Sequence, residues 1–201
     1  LVEVEAPEAV VIATGGHAYT PDGLLLDEAH VLHASQVMEG ANVGARVVIA
    51  DARCDWVGLG IAERLARNGC SVRLAVNGYM AGQKIQQYTR DRWIGELDRL
   101  GVGIIPYARL VGADETSAYF QHTASYEHMI LNDVDSLVIA TGMANDTGLE
   151  QALEGWSGQV WVVGDALTPR TCEEAVLEGL KVGCWLGEKR SAALDLAYRL
   201  N

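Results

Sequence analysis

The sequence lacks the cysteine spacing of a metal or redox protein. Its four cysteines, Cys54, Cys70, Cys172 and Cys184, form no CxxC pair. A zinc site, an iron–sulfur cluster or a dithiol redox pair is therefore not predicted within this chain. We interpret all four as reduced, mostly structural thiols.

Long apolar runs and a surplus of basic residues are also missing. No run approaches the ~20 apolar residues of a membrane span, and the first residues lack the basic and apolar segments of a secretory signal. The 27 acidic and 15 basic residues give a net charge of −12, whose field repels nucleic acids and anionic membranes. We therefore expect a globular, cytoplasmic protein that has no nucleic-acid or membrane partner.

The two ends of the chain carry further expectations. The chain begins without a methionine, and Leu1–Glu5 resembles a strand already in progress, so we expect a piece of a longer polypeptide. After Glu188, apolar residues such as Leu194 and Ala197 predict a short amphipathic helix.

The stretch Ala45–Gly69 is the one around which the chain is organised. The apolar run Val47–Ile49 predicts a strand buried on both faces, and Ile61 and Leu65 mark the buried face of the helix that follows. A second strand is predicted at Val72–Val76. This βαβ unit predicts a doubly wound α/β domain, and its first loop is where a dinucleotide phosphate would bind.

An internal repeat flanks this unit. The sequence VVIATGG at Val10–Gly16 recurs as LVIATGM at Leu137–Met143. A strand that ends in Ala-Thr-Gly lets the backbone approach a nucleotide, because glycine has no side chain. One copy would fit a plain strand and turn equally well, but two copies around a βαβ unit favour nucleotide binding.

A meander of short strands is predicted at 110–113, 118–122 and 127–131, an antiparallel insert before the last parallel strand. His122 and His128 lie in this insert. Because no acidic or cysteine partner stands at ligand spacing, we predict no metal site there.

The final third predicts a strand at Val160–Val163, then Gly-Asp-Ala and a helix. The helix has two equally good starts, Thr171 with Glu174 in a capping box or Thr168 with Pro169 at the first helical position. Three small residues four positions apart predict a surface for close packing: Ala175, Gly179 and Gly183.

With these motifs in this order, the chain resembles the carboxyl-terminal half of flavin reductases that have two dinucleotide domains. More narrowly, DxxxxxxGLGxAExLAxxG at Asp51–Gly69 and GDAxxPR at Gly164–Arg170 resemble the trimethylamine dehydrogenase and 2,4-dienoyl-CoA reductase-like group of FMN and iron–sulfur flavoproteins, which is related to old yellow enzyme. The resemblance implies an α/β Rossmann-like FAD/NAD(P)-binding fold with an antiparallel β insert, plus two strands and a helix of a truncated FAD-type domain.

The resemblance also implies domain boundaries. Residues 1–41 would be a remnant of the FAD/ADP-type domain and a connection, 42–143 the NAD(P)-binding-like domain, and 144–201 the return to the first domain with the carboxyl-terminal helices. The strands Ala9–Ala13 and Val160–Val163 should then pair side by side.

Site residues follow by the same resemblance. Asp165 matches the acid that accepts a hydrogen bond from the ribityl or ribose hydroxyls of FAD or ADP, and Gly164 permits that approach. Thr14 and Gly15 belong to the first Ala-Thr-Gly edge, and Arg170 is placed to face phosphate or flavin. FMN and [4Fe-4S] are expected only in the missing amino-terminal part, so no catalytic residue is assigned here.

The loop after the central strand departs from the GxGxxG fingerprint. Counted back from Glu63, the third glycine is Gly58, whereas Arg53 and Asp55 occupy the first two positions. Asp55 would repel a phosphate ~4 Å away by about 4 kcal/mol, more than the ~0.3–1 kcal/mol from a helix amino terminus, unless Arg53 turns inward or Asp55 points away. Gly58 and Gly60 are candidate cofactor positions, yet close packing of the helix on the strand explains them better.

The end of the second strand gives no compensation, because Val76-Asn77-Gly78 offers neither an acid for a ribose nor an arginine for a 2′-phosphate. We therefore predict that NAD(H) binds weakly or not at all.

Three functional hypotheses remain. The chain is the nucleotide-binding part of a flavin-dependent amine dehydrogenase or NADH:flavin oxidoreductase, or an NAD(P)H-dependent enoate or dienoyl reductase domain that delivers hydride to FAD, or a non-catalytic scaffold. The expected partners are an amino-terminal barrel of the same polypeptide, an electron-transfer protein and further copies of the full-length chain.

Overall fold

The structure is a computed structural model that describes residues 5–186. The predicted strand at Leu1–Glu5 lies almost entirely outside these residues, and the predicted helix after Glu188 lies wholly outside them. The chain divides into two compact units. The central unit is Ala18–Gly142, and the terminal unit consists of the described parts of Leu1–His17 and Met143–Asn201.

The central unit is built on a five-stranded parallel sheet with the strand order β4-β11-β5-β6-β7. Val47, Val48 and Ile49 on β5 are fully buried, as the apolar run predicts. The strands are β4 (Val31–His33), β5 (Arg46–Asp51), β6 (Ser71–Val76), β7 (Gly103–Ile105) and β11 (Ser136–Ala140).

Different layers cover the two faces of this sheet. Val47 and Ile49 pack with the buried faces of three helices, α1 (Ala34–Met38), α2 (Trp56–Arg67) and α3 (Gln87–Arg99). Val48 and Ala50 pack against a second sheet, which confirms the predicted antiparallel insert. That sheet contains β8 (Ala108–Ala113), β9 (Ser117–His122) and β10 (His128–Asn132), with β3 (Leu25–Leu26) parallel to β8.

The terminal unit contains the predicted strand pair. β1 (Ala9–Ile12) runs parallel to β13 (Gln159–Val162), with Ala9 opposite Gln159. A 3-10 turn at Gly164–Ala166 follows β13. The other elements are α4 (Gly148–Ala152), α5 (Cys172–Trp185), and a two-stranded sheet of β2 (Gly16–Ala18) and β12 (Met143–Asn145).

The structure decides between the two predicted starts of α5. Thr171 is the N-cap: its hydroxyl accepts a hydrogen bond from the Glu173 amide, and Glu174 accepts one from the Thr171 amide at 3.0 Å. The capping box therefore begins the helix. The small-residue stripe behaves differently from its prediction, because a Cβ added at Gly179 or Gly183 would meet no described atom within 4 Å.

Two further searches concern the described residues. No helix in residues 5–186 combines the length and apolar character needed to cross a bilayer. Within the same residues, no three His, Cys, Asp or Glu side chains are arranged to hold a metal ion.

Candidate functional site

A cavity of about 370 Å³ lies at the carboxyl ends of β1 and β13 in the terminal unit. We call it the terminal cavity. Four of the predicted cofactor-binding residues line it: Gly15, Gly164, Asp165 and Arg170. Thr14, the fifth from the same motifs, is exposed and is not among the lining residues.

Two glycines with positive φ line this cavity. Gly15 has φ +79° and Gly164 has φ +65°, conformations that other residues adopt only with strain. A Cβ added at Gly15 would meet nothing within 4 Å, whereas one at Gly164 would reach the Ala175 Cβ at 3.5 Å. The space beside Gly15 is therefore unfilled by the described residues.

A buried carboxylate lies behind the wall of the terminal cavity. Glu178 on α5 is 8% exposed, and its Oε2 accepts a hydrogen bond from the Gly164 amide at 2.7 Å. Its Oε1 accepts a hydrogen bond from the Arg170 guanidinium. The Arg170 amide in turn donates to Asp165 Oδ1 at 3.3 Å. The turn that carries Gly164 and Asp165 is thus held by a residue that sequence reasoning missed.

One signal in the sequence could have identified Glu178. It is four residues before Val182, which is buried, and three after Ala175, which faces Gly164. An acid on the inward face of a helix needs polar partners, because burying an unpaired charge is costly. Residues beside a tight Gly-Asp turn are the natural partners.

We call residues 52–55, which follow β5, the central loop. The backbone amides of this loop bind a carboxylate of the chain itself. Asp51, the last residue of β5, is 2% exposed. Its Oδ1 accepts hydrogen bonds from the amides of Arg53 at 3.0 Å and Cys54 at 2.8 Å. These are amides of the loop that would cradle a pyrophosphate in a dinucleotide domain.

A second carboxylate caps the following helix. Asp55 is the N-cap of α2, and its Oδ1 accepts a hydrogen bond from the Val57 amide at 3.0 Å. Its Oδ2 pairs with Arg53 Nε at 2.7 Å. Arg53 therefore does turn inward, which offsets the charge of Asp55. The repulsion calculated from Asp55 alone is too large, and the loop is instead characterised by donors that are already occupied.

The second Ala-Thr-Gly sequence, which ends at Gly142, is covered by a side chain of the central unit. A Cβ added at Gly142 would lie 2.9 Å from Cδ and 3.2 Å from an Nη nitrogen of Arg53. The Arg53 side chain thus packs where a nucleotide would approach this glycine, in contrast to the open space at Gly15.

Gly58 and Gly60 have different surroundings. A Cβ at Gly58 would lie 2.2 Å from Asp51 Oδ2, so this glycine lets α2 pack against the end of β5. A Cβ at Gly60 would make only an ordinary contact with Trp93, at 3.7 Å. Close packing on the strand therefore explains Gly58 alone. Neither glycine is among the residues that line the cavities described here.

Burial changes the chemistry of the central loop. It raises the pKa of Asp51 to about 6, although the amides of Cys54 and Arg53 act in the opposite direction and Asp55 adds to the rise. Burial also raises the pKa of the Cys54 thiol, which accepts a hydrogen bond from the Gly78 amide at 3.3 Å. A thiol held in its neutral form is a poor nucleophile, so Cys54 fits a structural role.

A second cavity, of about 420 Å³, lies in the central unit at the ends of β5, β6 and β11. We call it the central cavity. Its lining includes Asp22, Asp51, Asn77, Arg109 and Thr141. Among the described residues, the buried Oδ1 of Asn77 has no hydrogen-bond partner. This cavity is the open space that remains beside the filled loop.

No protein-family model matches the chain. Solved structures give clear similarities. Histamine dehydrogenase from Rhizobium sp. 4-9 matches with a TM-score of 0.81 at 20% identity, over 91% of this chain and 31% of that one. A 2-naphthoyl-CoA reductase matches with a TM-score of 0.76 at 22% identity, over 90% and 27%. The HOCl-induced flavoprotein disulfide reductase of Escherichia coli matches with a TM-score of 0.66 at 16% identity, over 92% and 46%.

These similarities establish the fold class. The chain has the mixed α/β fold, with parallel and antiparallel sheets, of flavoprotein FAD/NAD-binding domains. It spans about a third of the length of the histamine dehydrogenase and under half of the disulfide reductase.

Proposed function

We propose that this chain is the nucleotide-binding part of a flavin-dependent oxidoreductase of the trimethylamine dehydrogenase and 2,4-dienoyl-CoA reductase-like family. The three similar structures are, by name, a dehydrogenase and two reductases. The motifs at Asp51–Gly69 and Gly164–Arg170 support the narrower family. FMN, the iron–sulfur cluster and the catalytic residues belong to an amino-terminal barrel of the same polypeptide in this proposal.

One observation carries the proposal, the convergence of Gly15, Gly164, Asp165 and Arg170 on the terminal cavity. These residues come from motifs about 150 positions apart and meet because β1 pairs with β13. The terminal cavity receives part of FAD or ADP. The Asp165 carboxylate accepts a hydrogen bond from a ribityl or ribose hydroxyl, and Gly15 leaves room for the ligand backbone.

The central unit has a structural role in this proposal. Asp51 and Asp55 occupy three backbone amides in the central loop and the first turn of α2, those of Arg53, Cys54 and Val57. A phosphate would have to displace two carboxylates to reach the same donors. The proposed domain boundaries remain 1–41, 42–143 and 144–201. The central unit supports subunit contacts or docking of an electron-transfer protein in this proposal.

The central cavity favours a second candidate function, an NAD(P)H-dependent reductase domain. It lies at the carboxyl edge of the parallel sheet, where such domains bind ligands, and the buried Asn77 Oδ1 is free to accept a hydrogen bond from an amide or amine. Nicotinamide would then enter without the usual phosphate cradle.

Calorimetry with FAD, ADP, NADH and NADPH tests the proposal. We expect saturable binding of FAD or ADP, which Asp165→Ala weakens by about tenfold or more, because it removes a charge-assisted hydrogen bond. Asp22→Ala, a matched change in the central cavity, should leave that affinity unchanged. Saturable NADH or NADPH binding at micromolar concentration that Asp22→Ala weakens would favour the second candidate instead.

A further inference from the structure

Glu178 is a buried acid that is bonded to two residues of the terminal cavity. It is not itself one of the residues that line this cavity. One oxygen holds the Gly164 amide at 2.7 Å, and the other pairs with the Arg170 guanidinium. The Glu178 side chain is 10% exposed and the Arg170 side chain 33% exposed. Glu178 therefore acts on a ligand only through the residues that it holds.

The pairing changes the charge that a ligand meets. Among the described lining residues of the terminal cavity, the charged side chains are those of Asp165 and Arg170. Because Glu178 balances Arg170, Asp165 leaves a net negative charge. Glu173 and Glu174 occupy the first turn of α5 and oppose the attraction that a helix amino terminus has for anions. A phosphate is disfavoured here.

The same contacts suit a hydroxyl. Glu178 directs the Arg170 side chain, and the Arg170 amide donates to Asp165 Oδ1 at 3.3 Å. Glu178 also sets the Gly164 peptide next to Asp165. Both ends of the Asp165 turn are therefore held by one buried residue, which orients a carboxylate that accepts hydrogen bonds.

We propose that Glu178 is a positioning residue that makes the terminal cavity select the hydroxyl-bearing part of a ligand over its phosphates. The inference rests on the proposed function and refines it, because Arg170 is then held by Glu178 and is not a phosphate ligand. Releasing Arg170 from Glu178 should have opposite effects on two kinds of ligand. Hydroxyl ligands lose an oriented acceptor, whereas phosphates gain a free guanidinium.

Two probes separate these effects in the 201-residue chain. Riboflavin carries ribityl hydroxyls and no phosphate, and inorganic pyrophosphate carries only phosphate. We expect Glu178→Gln to weaken riboflavin by about tenfold and to strengthen pyrophosphate by about tenfold. Glu173→Gln removes a nearby charge without touching Arg170 and should change either affinity by about twofold at most. Adding Arg170→Met to Glu178→Gln should remove the gain for pyrophosphate.

The unmodified chain supplies a test that needs no variant, since pyrophosphate should fail to displace bound riboflavin. Displacement, or affinities that move in the same direction for both probes in Glu178→Gln, would overturn the role of Glu178. If the unmodified chain binds neither FAD nor ADP, the proposed function fails, and the pyrophosphate measurements still decide the inference. A higher affinity of Glu178→Gln for pyrophosphate supports the inference, and an unchanged affinity for pyrophosphate refutes it.

Discussion

The carboxyl ends of β1 and β5 are each followed by a loop, and the two loops have different surroundings. Beside β1, Gly15 faces open space in a cavity that Asp165 and Arg170 also line. Beside β5, the loop amides bind Asp51 and the helix amino terminus binds Asp55. Two edges of the same general fold thus differ because one leaves open space beside its glycine and the other fills its loop with its own acids.

The comparison shows why a glycine motif is a weak guide to binding. Gly15 and Gly142 both follow a strand in an Ala-Thr-Gly sequence, and both have positive φ. The Arg53 side chain covers Gly142, and no described atom lies where the Cβ of Gly15 would be. The difference arises from a residue about ninety positions away in sequence, not from the motif itself.

The largest expected effect concerns the packing of the filled edge. Gly58→Ala places a Cβ 2.2 Å from Asp51 Oδ2 and 2.8 Å from its Cβ, at the contact between helix α2 and the end of β5. Overpacking of this kind should lower the free energy of unfolding by about 2–3 kcal/mol, measured by denaturant titration.

Gly60→Ala is the matched control on the same helix. Its Cβ makes an ordinary contact with Trp93, and alanine favours the helix by up to about 1 kcal/mol. Equal losses in the two variants would show that helix α2 does not pack on Asp51 as described.

The next effect is the pH dependence that Asp51 contributes. Burial raises its pKa to about 6 in the folded chain, above the unfolded value near 4. The proton therefore stabilises the fold fully below about pH 4, and this contribution is lost as the pH rises through 6. Asp51→Asn keeps an oxygen for the amides of Arg53 and Cys54 but cannot titrate.

We expect the wild type to lose about 2 kcal/mol relative to Asp51→Asn between pH 4 and pH 7, from denaturant unfolding at several pH values. The direction matters most, since the substitution should be tolerated better at neutral than at acidic pH. Parallel pH profiles would assign the titration to another group.

The smallest effect tests which acid closes the central loop. Asp55→Ala should cost about 1 kcal/mol of stability through loss of the N-cap, and Asp55→Ser should cost less because serine also caps. Thermal unfolding measures both. Neither variant should gain NADH binding in calorimetry, because Asp51 still occupies two loop amides. A gain in Asp55→Ser would make Asp55 the sole barrier.

Much of the fold follows from local patterns in the sequence. The apolar run at 47–49, the helical spacing of Ile61 and Leu65, and the period of the meander predicted elements that the structure contains. Strand β4 at Val31–His33 was not predicted, because three residues carry too little pattern. Its strand conformation comes from pairing with β11, which lies more than a hundred positions away.

The sequence by itself determined the α/β class and the Asp55-containing loop that departs from the fingerprint. These depend on hydrophobic periodicity and on residue types at short spacing, which local physics controls. Only the tertiary structure decided that Arg53 covers Gly142, that Asp51 fills the loop and that Glu178 holds Arg170. Those contacts depend on side-chain direction and burial, which exist only once strands and helices from distant parts of the chain have packed together.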